Sequence, residues 1–252
     1  MTDTRFRAAP PDTDWDHIWK HEKNEVLASG PSTRTRIRLV RRMVRRYARD
    51  GQSLLDVGCG VGALVEAVSR DRWWDRLAGA DVAAGPLARA RLLHPDRTWY
   101  LLDIQKEKPD AQFDIIVSLA TLDILADDRT ALANMSATLR PGGYLIVSVQ
   151  ANPAYWSALD DLRAYRRYTA EDLAARCEAA GLRPVRSFTW GWPLYALYYK
   201  ILERHDDAMR RDERKGFFAR IASRLLYVIF FFDDLCIVAG RGRQLFAVFQ
   251  KI

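Results

Sequence analysis

The stretch from Leu54 to Leu64, LLDVGCGVGAL, brings three glycines and one acid to a place where a ligand could lie against bare backbone. Leu54 to Val57 read as a short buried strand, and Ala63 to Val68 open an apolar-periodic helix. A strand, a glycine turn and a helix N-terminus form a ready ligand site, because a Cβ would block both the tight turn and the close approach. The spacing Gly58, Gly60, Ala63 also fits a dinucleotide fingerprint, so the glycines alone leave two chemistries open. Asp56 separates them. A carboxylate two residues before Gly58 would repel a pyrophosphate but accepts hydrogen bonds from a cationic amino-acid ligand.

Strands alternating with helices must hold this turn. Ser53–Val57, Arg76–Asp81, Thr98–Asp103, Phe113–Leu119 and Tyr144–Val149 read as five strands, with helical patterns at Ala63–Ser69, Gly85–Leu93 and Asp128–Leu139 between them. Arg140-Pro141-Gly142-Gly143 cannot continue a helix and ends the last of these. Thr169 reads as the N-cap of Ala170–Ala180, which Gly181 closes. Leu182–Thr189 reads as a sixth strand. Gln244–Lys251 reads as the last, and it is antiparallel because only the turn Gly240-Arg241-Gly242-Arg243 precedes it. Asp14 to Tyr47 is helical, with a break at Ser29-Gly30-Pro31. The succession predicts an α/β fold with a doubly wound sheet and helices on both faces.

A chain of 252 residues, 49% of them hydrophobic, suits one α/β domain with an elaboration. Cys59, Cys177 and Cys236 match no metal spacing, and with no signal peptide they predict a reducing, cytoplasmic setting. The net charge of +7 is concentrated in one helix, at Arg34, Arg36, Arg38, Arg41, Arg42, Arg45, Arg46 and Arg49. That face is either solvated or attracts an anionic substrate, an acidic carrier or a membrane surface. Neither zinc-finger spacing nor an RNP-like motif occurs, which argues against a nucleic-acid partner. Gly191 to Ala239 is rich in aromatics, and its run Leu225–Phe232 is too short to span a bilayer. It reads as a buried helix against the sheet or a partner chain, as a lid over a greasy pocket, or as a face that visits a membrane.

The acidic D-x-G-x-G turn, together with the strand ends that follow it, resembles the class I S-adenosylmethionine-dependent methyltransferases of the small-molecule branch, from about Leu54 to Leu182. The resemblance implies a seven-stranded Rossmann-like sheet with the last strand reversed. It suggests an N-terminal helical cap over 1–50, a cofactor-binding core over 51–190, a helical insert over 191–239 and a final strand over 240–252. Gly58, Cys59 and Gly60 then match the turn under the methionine part of S-adenosylmethionine, and Asp56 the acid that orders it. Asp81-Val82 matches the ribose position, where a carboxylate accepts from both hydroxyls. Asp103-Ile104 matches the pair that meets the adenine, and Ser118-Leu119 the backbone lip beside the transferable methyl. Leu139-Arg140-Pro141-Gly142-Gly143 resembles the family's chain-reversing turn. An upstream arginine often pairs with the ligand's carboxylate, and Arg36 is the candidate here.

Two departures from the family stand out. Leu122-Asp123-Ile124 replaces the Leu-Glu-His of many relatives, which removes an imidazole that some quinone-type O-methyltransferases use for a metal; no metal is expected. Tyr165 replaces a histidine in the segment Asp161–Thr169, whose arginines could hold an anionic acceptor or be solvated.

Methyl transfer is an in-line displacement, and a base is needed only where the acceptor must lose a proton early. His17, between Trp15 and Trp19, and Tyr165 are the candidates, although a phenol with a pKa of ~10 is a poor base. Trp190 and Trp192 are expected on one wall of the acceptor pocket, with Tyr165 on the opposite rim and Tyr168 also contacting substrate, since ligands bind beyond the carboxyl ends of the strands. The implied activity is methylation of a small hydrophobic or anionic metabolite, with S-adenosylhomocysteine as co-product, by a monomer or homodimer. A lipid or isoprenoid quinone precursor as acceptor, a non-catalytic S-adenosylmethionine-binding protein and a dehydrogenase are the alternatives.

Overall fold

Strand β1 (Ser53–Val57) is buried at every position, and that explains its unbroken apolar run: it lies mid-sheet with helices over both faces. The structure is a computed structural model that describes residues 13–21, 30–151, 166–198, 224–236 and 241–252. The other strands are β2 (Arg76–Asp81), β3 (Thr98–Leu101), β4 (Phe113–Leu119), β5 (Leu139–Gln150), β6 (Leu182–Trp190) and β7 (Gln244–Lys251). They form one seven-stranded sheet in the order β3-β2-β1-β4-β5-β7-β6. The pairs among β1 to β5 are parallel, and β7 runs antiparallel between β5 and β6. The doubly wound sheet with a reversed last strand is therefore present as expected. The chain order reverses between β1 and β4, so their carboxyl ends flank the crevice where such sheets bind ligands.

Helices α1 (Trp15–His21), α2 (Pro31–Tyr47), α3 (Ala63–Ser69), α4 (Ala84–Leu93), α5 (Asp128–Thr138) and α6 (Ala170–Ala179) flank the sheet. Alternation along the strands divides the core. Leu54, Ile115, Ile146 and Val248 pack with α2, α3 and α4 on one face. Leu55, Ile116, Leu145 and Phe249 pack with α5 and α6 on the other. Thr169 caps α6 as expected, its side chain accepting from the Asp172 N–H. Among the described residues no helix is long and apolar enough to cross a membrane.

Two elements differ from the sequence reading. β3 ends at Leu101, two residues early, because Asp103 begins a turn of its own. β5 starts at Leu139, paired with Phe113, and resumes at Tyr144, paired with Ile115. Residues 140–143 bulge out between these two pairs, with Gly142 in the left-handed region at φ 76°.

The arginine face of α2 is largely stitched down. Arg41 and Arg45 both donate to Asp71, whose side chain is wholly buried. Arg38 and Arg42 both donate to Asp234, which also accepts from the Trp190 indole N–H at 3.0 Å. Four of the eight arginines thus tie α2 to the loop after α3 and to the segment that precedes β7.

On the opposite face, buried Asp128 accepts from the Tyr168 hydroxyl at 2.7 Å and pairs with Arg166 at 2.8 Å and Arg176 at 3.1 Å. Removing this one carboxylate takes the acid from both guanidinium groups, leaving Arg166 with the Leu125 and Ala126 carbonyls and the Tyr168 hydroxyl with a 3.4 Å contact to the Leu122 carbonyl. Asp128→Ala is expected to lower stability by about 3–5 kcal/mol, the range for breaking a buried ion pair from one side. Urea unfolding of the two proteins checks this, and a loss under about 1 kcal/mol would show that the network is solvated.

Candidate active site

The turn after β1 needs glycine for measurable reasons. Gly58, Gly60 and Gly62 have φ of 77°, 52° and 81°. A Cβ on Gly58 would sit 2.0 Å from Thr121 Oγ1, and one on Gly60 would sit 2.7 Å from the Trp19 ring. The N–H groups of Gly58 and Cys59 both donate to the Ala80 carbonyl, at 2.8 and 3.1 Å, which ties the turn to β2. Asp81, at the end of β2, completes the brace. Its Oδ2 accepts from the Gly60 N–H at 2.7 Å and its Oδ1 from the Ala83 N–H at 2.9 Å.

Acidic groups gather here. Asp56 is 2% exposed and its Oδ1 has no hydrogen-bond partner. Burial, with Asp81 adding to it, pushes its carboxyl up to about 8. Burial raises Asp81 as well, against the hydrogen bonds from Ala83 and Gly60. Burial and these two acids push the Cys59 thiol well up, which makes it a packed side chain rather than a nucleophile. A glycine cradle beside an orphaned carboxylate suits a cationic ligand that brings its own donors.

Helix α1 lies across this turn. Asp16 accepts from the Ala84 and Gly85 N–H groups at the start of α4, at 3.2 and 2.6 Å, and Trp19 faces Gly60. His17, on the same helix, is exposed and its N–H donates to Asp14 Oδ1. Asp103 accepts from Gln105 at its N–H and side chain and pairs with Lys106 at 3.1 Å. Burial raises its carboxyl, but those bonds outweigh it and hold the group below the ordinary range. Ile104 beside it is buried, while Val82 is 47% exposed.

Further unpartnered polar atoms lie on β4, on β5, at the start of β7 and in the turn after β4. The Oγ atoms of Ser118 and Ser148, Gln244 Oε1 and Asp123 Oδ1 are all buried without a hydrogen-bond partner. Asp123 accepts from the Gln150 N–H at its other oxygen, at 3.3 Å. Burial pushes its carboxyl up to about 6 despite the charges of Arg36 and Arg167. Arg36 thus faces Asp123 from α2, and its Nε is also buried without a hydrogen-bond partner. Ala120, just past Leu119, is the one non-glycine residue with positive φ among the described residues, at 54°. A positive φ at a non-glycine residue is strained backbone at the end of β4. The sequence had flagged Asp123 only for the imidazole missing beside it, and had flagged neither Ala120 nor Gln244. Backbone φ and the convergence of β4, β5 and β7 leave no local signal. Among the described residues no three His, Cys, Asp or Glu side chains group as a metal site.

The remaining expected residues are scattered. Trp190 is 1% exposed in an aromatic cluster with Tyr195 and Phe230, its indole N–H spent on Asp234. Tyr168 is 1% exposed, with its hydroxyl spent on Asp128. Both are placed as core side chains, and each hydroxyl or indole tip is satisfied within the fold. Trp192 is half-buried beneath Arg241, whose guanidinium lies 5.8 Å from the ring centre. Tyr165 lies outside the described residues.

Residues 32–187, from α2 into β6, match the family described as a methyltransferase domain. The chain belongs to that family. This methyltransferase-domain chain is 31% identical over 158 residues to a trans-aconitate 2-methyltransferase of Azoarcus sp. strain BH72, covering 61% of the chain and 59% of the relative. It is 27% identical over 175 residues to a ubiquinone biosynthesis O-methyltransferase of Dinoroseobacter shibae, covering 58% and 69%. The fold matches that of an N-methyltransferase from Bradyrhizobium japonicum WM9, solved with S-adenosyl-L-homocysteine. That match has a TM-score of 0.57 and 21% identity over 89% of this chain and 90% of the other. The chain spans about three-fifths of the length of the trans-aconitate relative.

The turn geometry is testable without any ligand. Gly58→Ala should destabilise the protein by about 1–3 kcal/mol, through overpacking on Thr121 and a left-handed backbone that alanine disfavours. Gly58→Ala with Thr121→Ala, which removes both the Oγ1 at 2.0 Å and the Cγ2 at 2.6 Å, should recover part of that loss. Thermal unfolding of the two variants separates the steric share from the backbone share, and equal stability of wild type and Gly58→Ala would refute the reading.

Proposed function

We propose that the chain transfers a methyl group from S-adenosylmethionine to a small-molecule acceptor. The observation that carries this reading is the Asp56 carboxylate, buried with an orphaned oxygen beneath a turn that no Cβ could share. In this reading Asp56, Gly58, Cys59 and Gly60 hold the methionine part of the cofactor. Asp81 and Val82 serve the ribose, Asp103 and Ile104 the adenine, and Ser118 and Leu119 the region of the methyl. Arg36 supplies the cation for the ligand carboxylate. When bound, the sulfonium supplies an electrophilic methyl, so this chain's share of the chemistry is alignment and proton handling.

The acceptor then approaches over the ends of β4 and β5. Ser118, Ser148, Gln244 and Asp123 offer it unsatisfied donors and acceptors, and Arg167 offers positive charge. An anionic small molecule suits that balance, in keeping with the trans-aconitate relative. A quinone precursor is the second reading, favoured by the ubiquinone relative. For an acceptor that must lose a proton, Asp123 Oδ1 is the base these groups provide, in place of exposed His17.

Titration calorimetry with S-adenosylhomocysteine and with NAD tests the cofactor. Binding of the first should release close to one proton near pH 7, because its α-ammonium group draws Asp56 down from about 8. Affinity should rise with pH and level off above that value. Asp56→Asn should abolish the proton release, and Asp81→Ala should weaken binding by roughly 1.5–3 kcal/mol. Binding of NAD alone, or no proton release by wild type, would overturn the assignment.

For an acceptor that supports turnover, sought first among tricarboxylates and phenols, kcat/KM should rise with pH through about 6 as Asp123 ionises. Asp123→Asn should lose that limb and about 10²–10⁴ in rate while binding cofactor as before. A retained limb would assign the proton to another group.

A further inference from the structure

The segment just before β7 has two contrasting sides. Its inner side is fixed. Phe230 is wholly buried against Trp190, Tyr195 and Tyr198. Asp233 accepts from the N–H groups of Leu194 and Tyr195, at 2.9 and 2.8 Å, and so holds the start of the helical stretch at 194–198. Asp234 is held by Arg38, Arg42 and Trp190. Its outer side is apolar. Leu225, Val228, Ile229, Phe231, Phe232 and Leu235 are 39–83% exposed. These are six of the fourteen exposed large hydrophobic residues among the described residues, within eleven positions. A well-anchored element with such a face is a contact surface rather than loose packing.

The charge around it identifies what it contacts. Both acids of the segment point inward, so its outer face carries no carboxylate. The Arg38 guanidinium lies 3.8 Å from the centre of the Phe231 ring, which sets the arginine face of α2 directly beside the apolar strip. Arg34, Arg42 and Arg46 on that helix are exposed, and Arg42 pairs with Asp234 from the rim of the strip. Greasy side chains edged by arginines suit an interface where acyl chains end and anionic headgroups begin. A second copy of the chain suits it less, because it would bring another arginine-bordered face of a protein with net charge +7.

We propose that residues 225–235 and the adjoining arginine face of α2 dock this protein reversibly on an anionic lipid surface. The strip inserts Phe232 and Leu235, its two most exposed members, into the headgroup boundary, and the arginines meet lipid phosphates. The inference stands apart from the identity of the methyl acceptor.

Flotation of the full chain with phosphatidylcholine vesicles, with and without one-third phosphatidylglycerol, tests it. The protein should float with the anionic vesicles, stay behind with pure phosphatidylcholine, and be released by high salt. Phe232→Ser with Leu235→Ser should lower the partition coefficient at least tenfold with unchanged thermal stability, since both side chains are exposed. Arg46→Glu should lower it more at low salt than at high salt. Failure to float with anionic vesicles, or full binding by the double serine variant, would overturn the proposal. So would a dimer in light scattering that the serine variant dissociates, since that result would assign the strip to a second copy.

Discussion

The hydrogen bond from the Gly60 N–H to the Asp81 carboxylate joins the end of β2 to the turn after β1, and the site is arranged around it. It fixes a left-handed glycine backbone that would otherwise be one of many turn conformers. It also brings a second acid close to Asp56, in a place where water is excluded. The consequence is electrostatic. Asp56 is buried and Asp81 half-buried beside it, and desolvation raises both carboxyls. Such a pocket is stable while protonated and becomes strongly attractive once a cation enters.

At the other end of the crevice the arrangement is inverted. Arg36 and Arg167 act on one buried acid, Asp123, and Ser118, Ser148 and Gln244 also carry buried polar atoms without a hydrogen-bond partner. The crevice therefore runs from two acids of raised pKa by the glycine turn to Asp123 with the arginine charges near it, beyond β4 and β5. The strained backbone at Ala120 lies at the end of β4, beside the lip of Ser118 and Leu119.

The fold was legible because its signals are local. Runs such as Leu54–Val57 mark buried strands, glycines mark the turn, and Thr169 marks a helix start by a bond three residues long. The arginine face of α2 shows where locality fails. From the sequence it is a solvated stripe or an anion trap, yet its partners are Asp71 and Asp234, 30 and 196 residues from Arg41 and Arg38. No periodicity reveals such pairs. Trp190 and Tyr168 show the same limit. Each is at a position where a substrate contact was reasonable, but whether an aromatic lines a cavity or fills one depends on what the rest of the chain brings to it. Asp123 shows a related limit: its raised carboxyl comes from burial, which its sequence neighbours do not reveal.

Strand β7 is inserted between β5 and β6, not added at an edge. Both of its neighbours precede it in the chain, and residues 191–243 separate it from β6. On a ribosome that adds roughly 5–20 residues per second, β5 and β6 spend on the order of seconds with unpaired edges before their common partner exists. The half-sheet formed by β1 to β5 thus has to tolerate an open, highly apolar edge during synthesis, a hazard that parallel strands carry more than hairpins do. Closure comes in one step, when a single eight-residue strand completes both ladders at once.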